Sequence, residues 1–99
     1  MRLRILTATL ADLTSGRVFY EAQGEGLGAY FFDSVFSDID SLALYGGIHR
    51  KTLGYHRLLA RRFPYAVYYK LELDSTVVVY RVLDCRQNPA KTAHDLQTS

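Results

Sequence analysis

Two neighbouring segments, in which hydrophobic residues recur at every second position, constrain the fold of this chain most. They read YAVYYKLEL, over residues 65–73, and TVVVYRVLDCR, over residues 76–86. Successive side chains of a β-strand point to opposite faces, so this alternation is typical of strands. The polar pair Asp74-Ser75 between the segments predicts a tight β-hairpin. The core of the resulting sheet is predicted to contain Val67, Tyr69, Leu71, Val77 and Val79.

Two amphipathic helices are predicted in the first half of the chain. The first begins near residue 10, with Thr9 as its N-cap, and ends at the glycine-rich segment QGEGLG, residues 23–28. The second spans about residues 26–44, because its apolar side chains recur every three or four positions. This stripe consists of Leu27, Phe31, Val35, Ile39 and Leu42. A connection of a few residues predicts that the two helices pack antiparallel as a helical hairpin.

The predicted order of elements is strand, helix, helix, strand, strand, strand. Residues 2–8 and residues 53–60 supply the two remaining strands, and the second of these ends before Phe63-Pro64. We expect a single α+β domain of two layers, with the helical hairpin packed on one face of an antiparallel sheet. The polar segment from about residue 88 shows no periodicity, and we expect it to be loose.

The composition argues against several classes of function. The single cysteine, Cys85, cannot form an internal disulfide, which fits a reducing cytosol, and we interpret it as an inert packing residue. The three histidines lack metal-ligand spacing, and the glycine-rich segment lies between helices rather than after a strand, so we predict no metal or cofactor site and no phosphate-binding glycine loop. No apolar run is long enough to span a membrane, so we expect a cytoplasmic protein.

Positive charge is concentrated in the second half of the chain. Residues 1–47 carry three basic and six acidic side chains, whereas residues 48–99 carry nine basic and four acidic ones. This asymmetry suits an acidic partner, either nucleic acid or an acidic protein segment, although it is equally typical of a sheet kept soluble by its surface. Clustered guanidinium groups would suit phosphate recognition. The candidate binding residues are Arg57, Arg61, Arg62, Arg81, Arg86 and Lys91.

Three segments resemble toxins of the RelE/ParE superfamily of type II toxin–antitoxin modules. They are ADLTSGRVFYEAQGEGLGAYFFDSVFSDID, GGIHRKTLGYHRLLARRFPYAVYYKLE and VVVYRVLDCRQNPAK. The resemblance covers about residues 3–91 and is most specific in FYEAQGEGLGAYF and RRFPYAVYY. It implies a small growth-inhibiting toxin, of the kind used in plasmid stabilisation, that a cognate antitoxin wraps with an extended or helical segment.

The resemblance implies one of two activities. ParE-like members poison DNA gyrase, whereas RelE-like members cut mRNA on the ribosome without a metal, using basic residues and a C-terminal tyrosine or comparable acid–base group. A ribonuclease of this kind would here use Arg61, Arg81, Arg86 and His94, but no tyrosine lies beyond Tyr80. We therefore favour the ParE-like branch, in which the chain is not an enzyme. An inactive member that serves only as a binding scaffold is a third interpretation.

Phe32 and Phe36 lie one position off the apolar stripe of the second helix. Periodicity favours a broad core face for these rings, and the alternative is an exposed aromatic patch that binds a partner. The resemblance makes the antitoxin that partner. A homodimer and a toxin–antitoxin hetero-oligomer are both compatible with it.

Overall fold

The computed structural model describes all 99 residues and confirms the α+β class and the predicted order of the main elements. The elements are β1 (Arg2–Ile5), α1 (Thr7–Glu21), α2 (Leu27–Asp40), the one-turn α3 (Leu42–Tyr45), β2 (Lys51–Thr52), β3 (Tyr55–Leu59), β4 (Tyr65–Leu71), β5 (Thr76–Asp84) and α4 (Pro89–Gln97). The five strands form one sheet in the order β1-β5-β4-β3-β2. None of the helices has the length and hydrophobicity that a membrane span requires.

The sheet is mixed rather than purely antiparallel. β1 pairs in parallel with β5, with Arg2 opposite Thr76 and Ile5 opposite Val79, whereas the other strand pairs are antiparallel. A parallel pair needs a long crossover connection, and the chain between β1 and β5 contains all the other strands and the helical hairpin. Because β1 is short, β5 has no neighbouring strand on that side beyond Val79.

The segment predicted as one strand over residues 53–60 is instead a hairpin of β2 and β3. Leu53 and Gly54 form its turn, with φ angles of 57° and 84°. A two-residue loop with both residues at positive φ matches the twist of the flanking strands. Leucine is rarely found in that conformation, so the alternating pattern conceals the turn.

The main core lies between the helical hairpin and one face of the sheet. The predicted residues Phe31, Val35 and Ile39 of α2 are fully buried there, together with Val67, Tyr69, Val77 and Val79 of the sheet. Leu71 was predicted to belong to this core but is 43% exposed, because it is the last residue of β4.

α1 begins at Thr7, three residues earlier than predicted, so Thr9 is not an N-cap. Its buried hydroxyl instead donates a hydrogen bond of 3.1 Å to the main-chain oxygen of Val79, which ties α1 to β5. Further along α1, Gly16 permits close contact with α2, because a Cβ at that position would lie 2.4 Å from the ring of Phe31.

The segment after Asn88 forms the helix α4 instead of a loose tail. The side chain of Asn88 accepts a hydrogen bond from the N–H of Ala90, and Pro89 occupies the first turn. Leu96 is the only buried residue of α4, and such a single anchor produces no periodicity in the sequence. The helix covers a second, smaller cluster on the opposite face of the sheet, so the domain is two-layered only in part. This cluster consists of Tyr55, Ala66, Tyr68, Leu83 and Leu96.

Candidate functional site

Arg81 is held by a carboxylate of its own chain. Its Nε and Nη2 donate to the two carboxylate oxygens of Asp12 at 2.7 and 2.8 Å, and its Nη1 donates to the main-chain oxygen of Asp95 at 3.1 Å. Both charged side chains are largely buried, and the hydrogen bonds that Arg81 donates to Asp12 raise the pKa of Arg81. Arg81 therefore links β5 to α1 and α4, and any role in binding or chemistry would require this pair to open.

Asp12 also closes the open edge of β5. The N–H of Val82 lies beyond the last residue that pairs with β1, and it donates to the Asp12 carboxylate at 3.0 Å. An unpaired edge N–H is a site at which another strand can add to a sheet. The side chain of Asp12 occupies that position, so this part of the edge is blocked from within the chain.

Arg61 and Arg86 also have acidic partners but remain exposed. The N–H and Nε of Arg61 donate to the buried Asp38 at 3.1 and 3.2 Å, and its side chain is 70% exposed. Arg86 binds Asp84 at 2.8 Å, which raises the pKa of Arg86, and its side chain is 57% exposed. Each carboxylate thus orients a guanidinium group toward solvent.

These two arginines lie with Arg62 at one end of the sheet, beside a group of aromatic rings. The ring of Phe63 is 4.8 Å from that of Tyr20, whose hydroxyl lies 3.5 Å from Nη2 of Arg86. Phe19 and Tyr30 are about half exposed and contact Tyr20 and Phe63, respectively. We call this region the aromatic–arginine surface, and it comprises Phe19, Tyr30, Phe63, Arg61, Arg62 and Arg86.

Arg57 is the one half-buried cation that has no acidic partner. Its Nε donates to the hydroxyl of Tyr68 at 3.1 Å, and its Nη2 lies 3.5 Å from the sulfur of Cys85. The hydroxyl raises the pKa of Arg57. Desolvation raises the pKa of the Cys85 thiol, although Arg57 opposes this, so the thiol is protonated near neutral pH and is not an activated nucleophile.

The two remaining basic candidates lie on α4. Lys91 pairs with Asp95 one turn later at 3.0 Å, and the ring of His94 is exposed. Lys91 and Arg81 line a groove between α1, β5 and α4 that neither Arg61 nor His94 lines. The four residues that a ribonuclease was predicted to use therefore do not share this groove.

Phe32 and Phe36 lie on the helical hairpin, half buried against the main core. Their rings stack with centroids 5.8 Å apart, and the guanidinium of Arg17 lies 5.8 Å from the centroid of Phe32. This placement agrees with the broad core face that periodicity favoured. Their role in antitoxin binding stays a prediction.

A hydrogen-bonded network around Tyr69 was not predicted from the sequence. The hydroxyl of the buried Tyr69 accepts from the N–H of Gly47 at 2.9 Å and hydrogen bonds to Nδ1 of His49. His56 stacks on the Tyr69 ring at 5.0 Å, and its Nδ1 bonds the main-chain oxygen of His49 at 2.7 Å. Desolvation lowers the pKa of His49 and raises the pKa of Tyr69. These residues meet only because of the turn at Leu53, so their spacing carried no signal.

Three exposed cations near this network were also missed as a group. Arg50, Lys51 and Lys70 form no salt bridge. Arg50, Lys51, His49 and Arg57 line a shallow site of about 360 Å³ at the β2 edge of the sheet. Arg50, Lys51 and Arg57 therefore line this site without acidic partners, unlike the arginines that hold carboxylates.

Comparison with known proteins supports the fold alone. No protein-family model matches the chain, and no curated protein matches it. A chain in a solved structure of the chromosomal ParDE TA system from P. aeruginosa matches with a TM-score of 0.73. The two chains share one fold. The match covers 83% of this chain and 92% of the ParDE chain, at 17% sequence identity. At this identity the match shows a shared fold, and the resemblance to the RelE/ParE superfamily stays a prediction from the sequence.

Proposed function

We propose that the chain is the toxin of a type II toxin–antitoxin module, that it acts in the cytoplasm by poisoning DNA gyrase, and that a cognate antitoxin neutralises it. The fold shared with the ParDE chain, over nearly the full length of both chains, carries this proposal. A binding protein of this kind needs exposed surface for its target and its antitoxin. It needs no constellation of acid and base groups.

The state of the arginines favours binding over chemistry. Arg61, Arg81 and Arg86, which a ribonuclease was predicted to use, each hold a carboxylate of their own chain. An arginine that stabilises a phosphoryl transition state must turn its N–H groups to the substrate, and an internal carboxylate competes for them. Arg81 is the least available of the three for a substrate, because its pair with Asp12 is bidentate and largely buried.

One observation favours a ribosome-dependent ribonuclease as the second candidate. Arg57 is half buried without an acidic partner, and it lines one site with Arg50, Lys51 and His49. A partly desolvated guanidinium without a carboxylate is suited to an anion such as a phosphate group. An mRNA-cleaving activity of this chain would therefore centre on Arg57 rather than on Arg81 or Arg86.

Induced expression in a bacterial host without antitoxin separates these functions. We expect growth arrest with induction of the DNA-damage response and with transcripts that stay intact in primer extension. Arg57→Ala should arrest growth as the wild type does, because gyrase poisoning does not use a phosphate site there. Codon-periodic transcript cleavage that Arg57→Ala abolishes would instead establish the ribonuclease, and folded protein without arrest would indicate an inactive scaffold.

A further inference from the structure

We infer that the aromatic–arginine surface is the docking site for a protein segment that presents apolar side chains between carboxylates. The inference rests on the proposed function in one respect, because it assigns this segment to the antitoxin. It places the antitoxin on Phe19, Tyr30 and Phe63 and the flanking arginines rather than on Phe32 and Phe36.

The aromatic part of the surface is exposed yet rigidly supported. Phe19 and Tyr30 are 50% and 51% exposed. Their rings lie against Tyr20 and Phe63 at centroid distances of 5.1 and 5.5 Å, and both of these rings contact the fully buried Phe31. Rings that are already held in place lose little conformational entropy when a partner covers them. Aromatic side chains that are held by buried neighbours are typical of the residues that contribute most of the binding free energy in protein interfaces.

The charged part of the surface presents free guanidinium donors, and internal carboxylates hold two of the three side chains in place. Arg61 uses only its Nε for the Asp38 carboxylate, so both terminal nitrogens remain free of hydrogen bonds within the chain. Arg86 uses Nε and Nη2, which leaves Nη1 free, and the exposed Arg62 forms no side-chain hydrogen bond. Carboxylates of a partner can accept from these donors in directed, charge-assisted hydrogen bonds.

The internal carboxylates favour a protein partner over a nucleic acid. Asp38 and Asp84 neutralise two of the three arginines, so the surface offers a polyanion little net charge. A phosphate backbone gains its affinity from several unpaired cations, and a group of three, Arg50, Lys51 and Arg57, lines the site at the β2 edge instead. A segment with a few carboxylates next to apolar side chains matches both parts of the aromatic–arginine surface.

Phe32 and Phe36 offer less to such a segment. Both rings are half buried against the core and stack on each other, and the cation next to them, Arg17, already lies over Phe32. A partner would gain less newly covered apolar area there than on Phe19 and Tyr30.

The test measures binding of the purified chain to the product of the reading frame next to its gene, the expected antitoxin. Arg62→Glu reverses a charge that has no partner within the chain, and Tyr30→Ala removes a half-exposed ring. We expect each variant to raise the dissociation constant about tenfold or more. The matched controls are Arg50→Glu and Leu44→Ala, which change an unpaired cation and an exposed apolar side chain elsewhere, and each should stay within about twofold of the wild type.

Binding of both variants with wild-type affinity, or no measurable binding of the wild type, would overturn the inference. Binding of a single-stranded 20-nucleotide probe that Arg62→Glu abolishes would also overturn it, in favour of a nucleic-acid surface. Circular dichroism checks that the variants are folded. The readout is independent of the toxin's target, so an antitoxin that binds through this surface while gyrase is unaffected would support the inference and contradict only the proposed function.

Discussion

Hydrogen bonds between residues far apart in the sequence link the helices to the sheet. The carboxylate of Asp12 accepts two hydrogen bonds from Arg81 and one from the N–H of Val82. Asp12 is recognisable in the sequence only as an acidic residue near the start of a helix, because its partners are about 70 positions away. Asp38 and Arg61 are 23 positions apart, so this pair also left no local pattern, and the arginines were identified as candidates without their internal partners.

Asp12→Asn should destabilise the domain strongly for its size. The substitution removes the charge opposite a largely buried Arg81 and replaces one carboxylate oxygen by a donor that faces other donors. We expect the free energy of unfolding to fall by roughly 3 kcal/mol in urea denaturation. Asp33→Asn, at an exposed position of α2, is the control and should change it by less than about 0.5 kcal/mol. Equal small effects at both positions would show that the Asp12 pair is not structural.

His49 should make the stability of the domain decrease as the pH falls below about 6.5. The Tyr69 hydroxyl accepts from the N–H of Gly47 and forms a second hydrogen bond with Nδ1 of the half-buried His49. Desolvation lowers the pKa of His49 below its ordinary value of 6.5, so the unfolded chain binds this proton more readily than the folded chain does. The stability that this group contributes is therefore present above about pH 6.5 and is lost as the pH falls below it.

Urea denaturation at several pH values compares the wild type with His49→Gln, whose amide can donate or accept a hydrogen bond to Tyr69 but does not titrate. We expect the wild type to lose more stability than His49→Gln between about pH 7 and pH 5. Other titrating groups are common to both proteins, so the difference isolates His49. Parallel pH profiles would contradict the predicted role of this histidine.

Elements that bury a broad face were predictable, and those anchored by one residue were not. The stripe of Phe31, Val35 and Ile39 defined α2, and the alternation around Val77 defined β5. α4 has a single buried anchor, Leu96, and the turn between β2 and β3 places Leu53 at positive φ, so neither left a periodic signal. The parallel pairing of β1 with β5 depends on where the helices pack, which no local pattern reports.

Gly16→Ala tests how closely α1 and α2 pack. Alanine favours a helix over glycine by about 1 kcal/mol, but its Cβ would lie 2.4 Å from the Phe31 ring in the core. We expect the clash to prevail and to lower the free energy of unfolding by about 1–3 kcal/mol, as in other overpacked cores. Thr14→Ala, at an exposed site of the same helix, should leave stability unchanged or raise it slightly. An increase in melting temperature for Gly16→Ala would show that the helices can separate without cost.

Two positively charged regions of the whole molecule differ in their properties. The basic second half of the sequence was predictable, but its division was not. One region is the aromatic–arginine surface, where internal carboxylates orient Arg61 and Arg86. The other is the edge near β2, where Arg50 and Lys51 are unpaired beside the half-buried Arg57. A protein partner and an anionic ligand would thus bind different ends of the sheet.

Purified components provide the decisive test of the proposed action on DNA gyrase. The chain is incubated with DNA gyrase of its host, ATP and a supercoiled plasmid, and the reaction is stopped with detergent and protease. If the chain poisons gyrase, we expect the amount of linear plasmid to increase with the amount of the chain. We expect no such increase when the antitoxin is added first. No increase in linear DNA, together with cleavage of mRNA when ribosomes replace gyrase, would contradict the proposed action on gyrase.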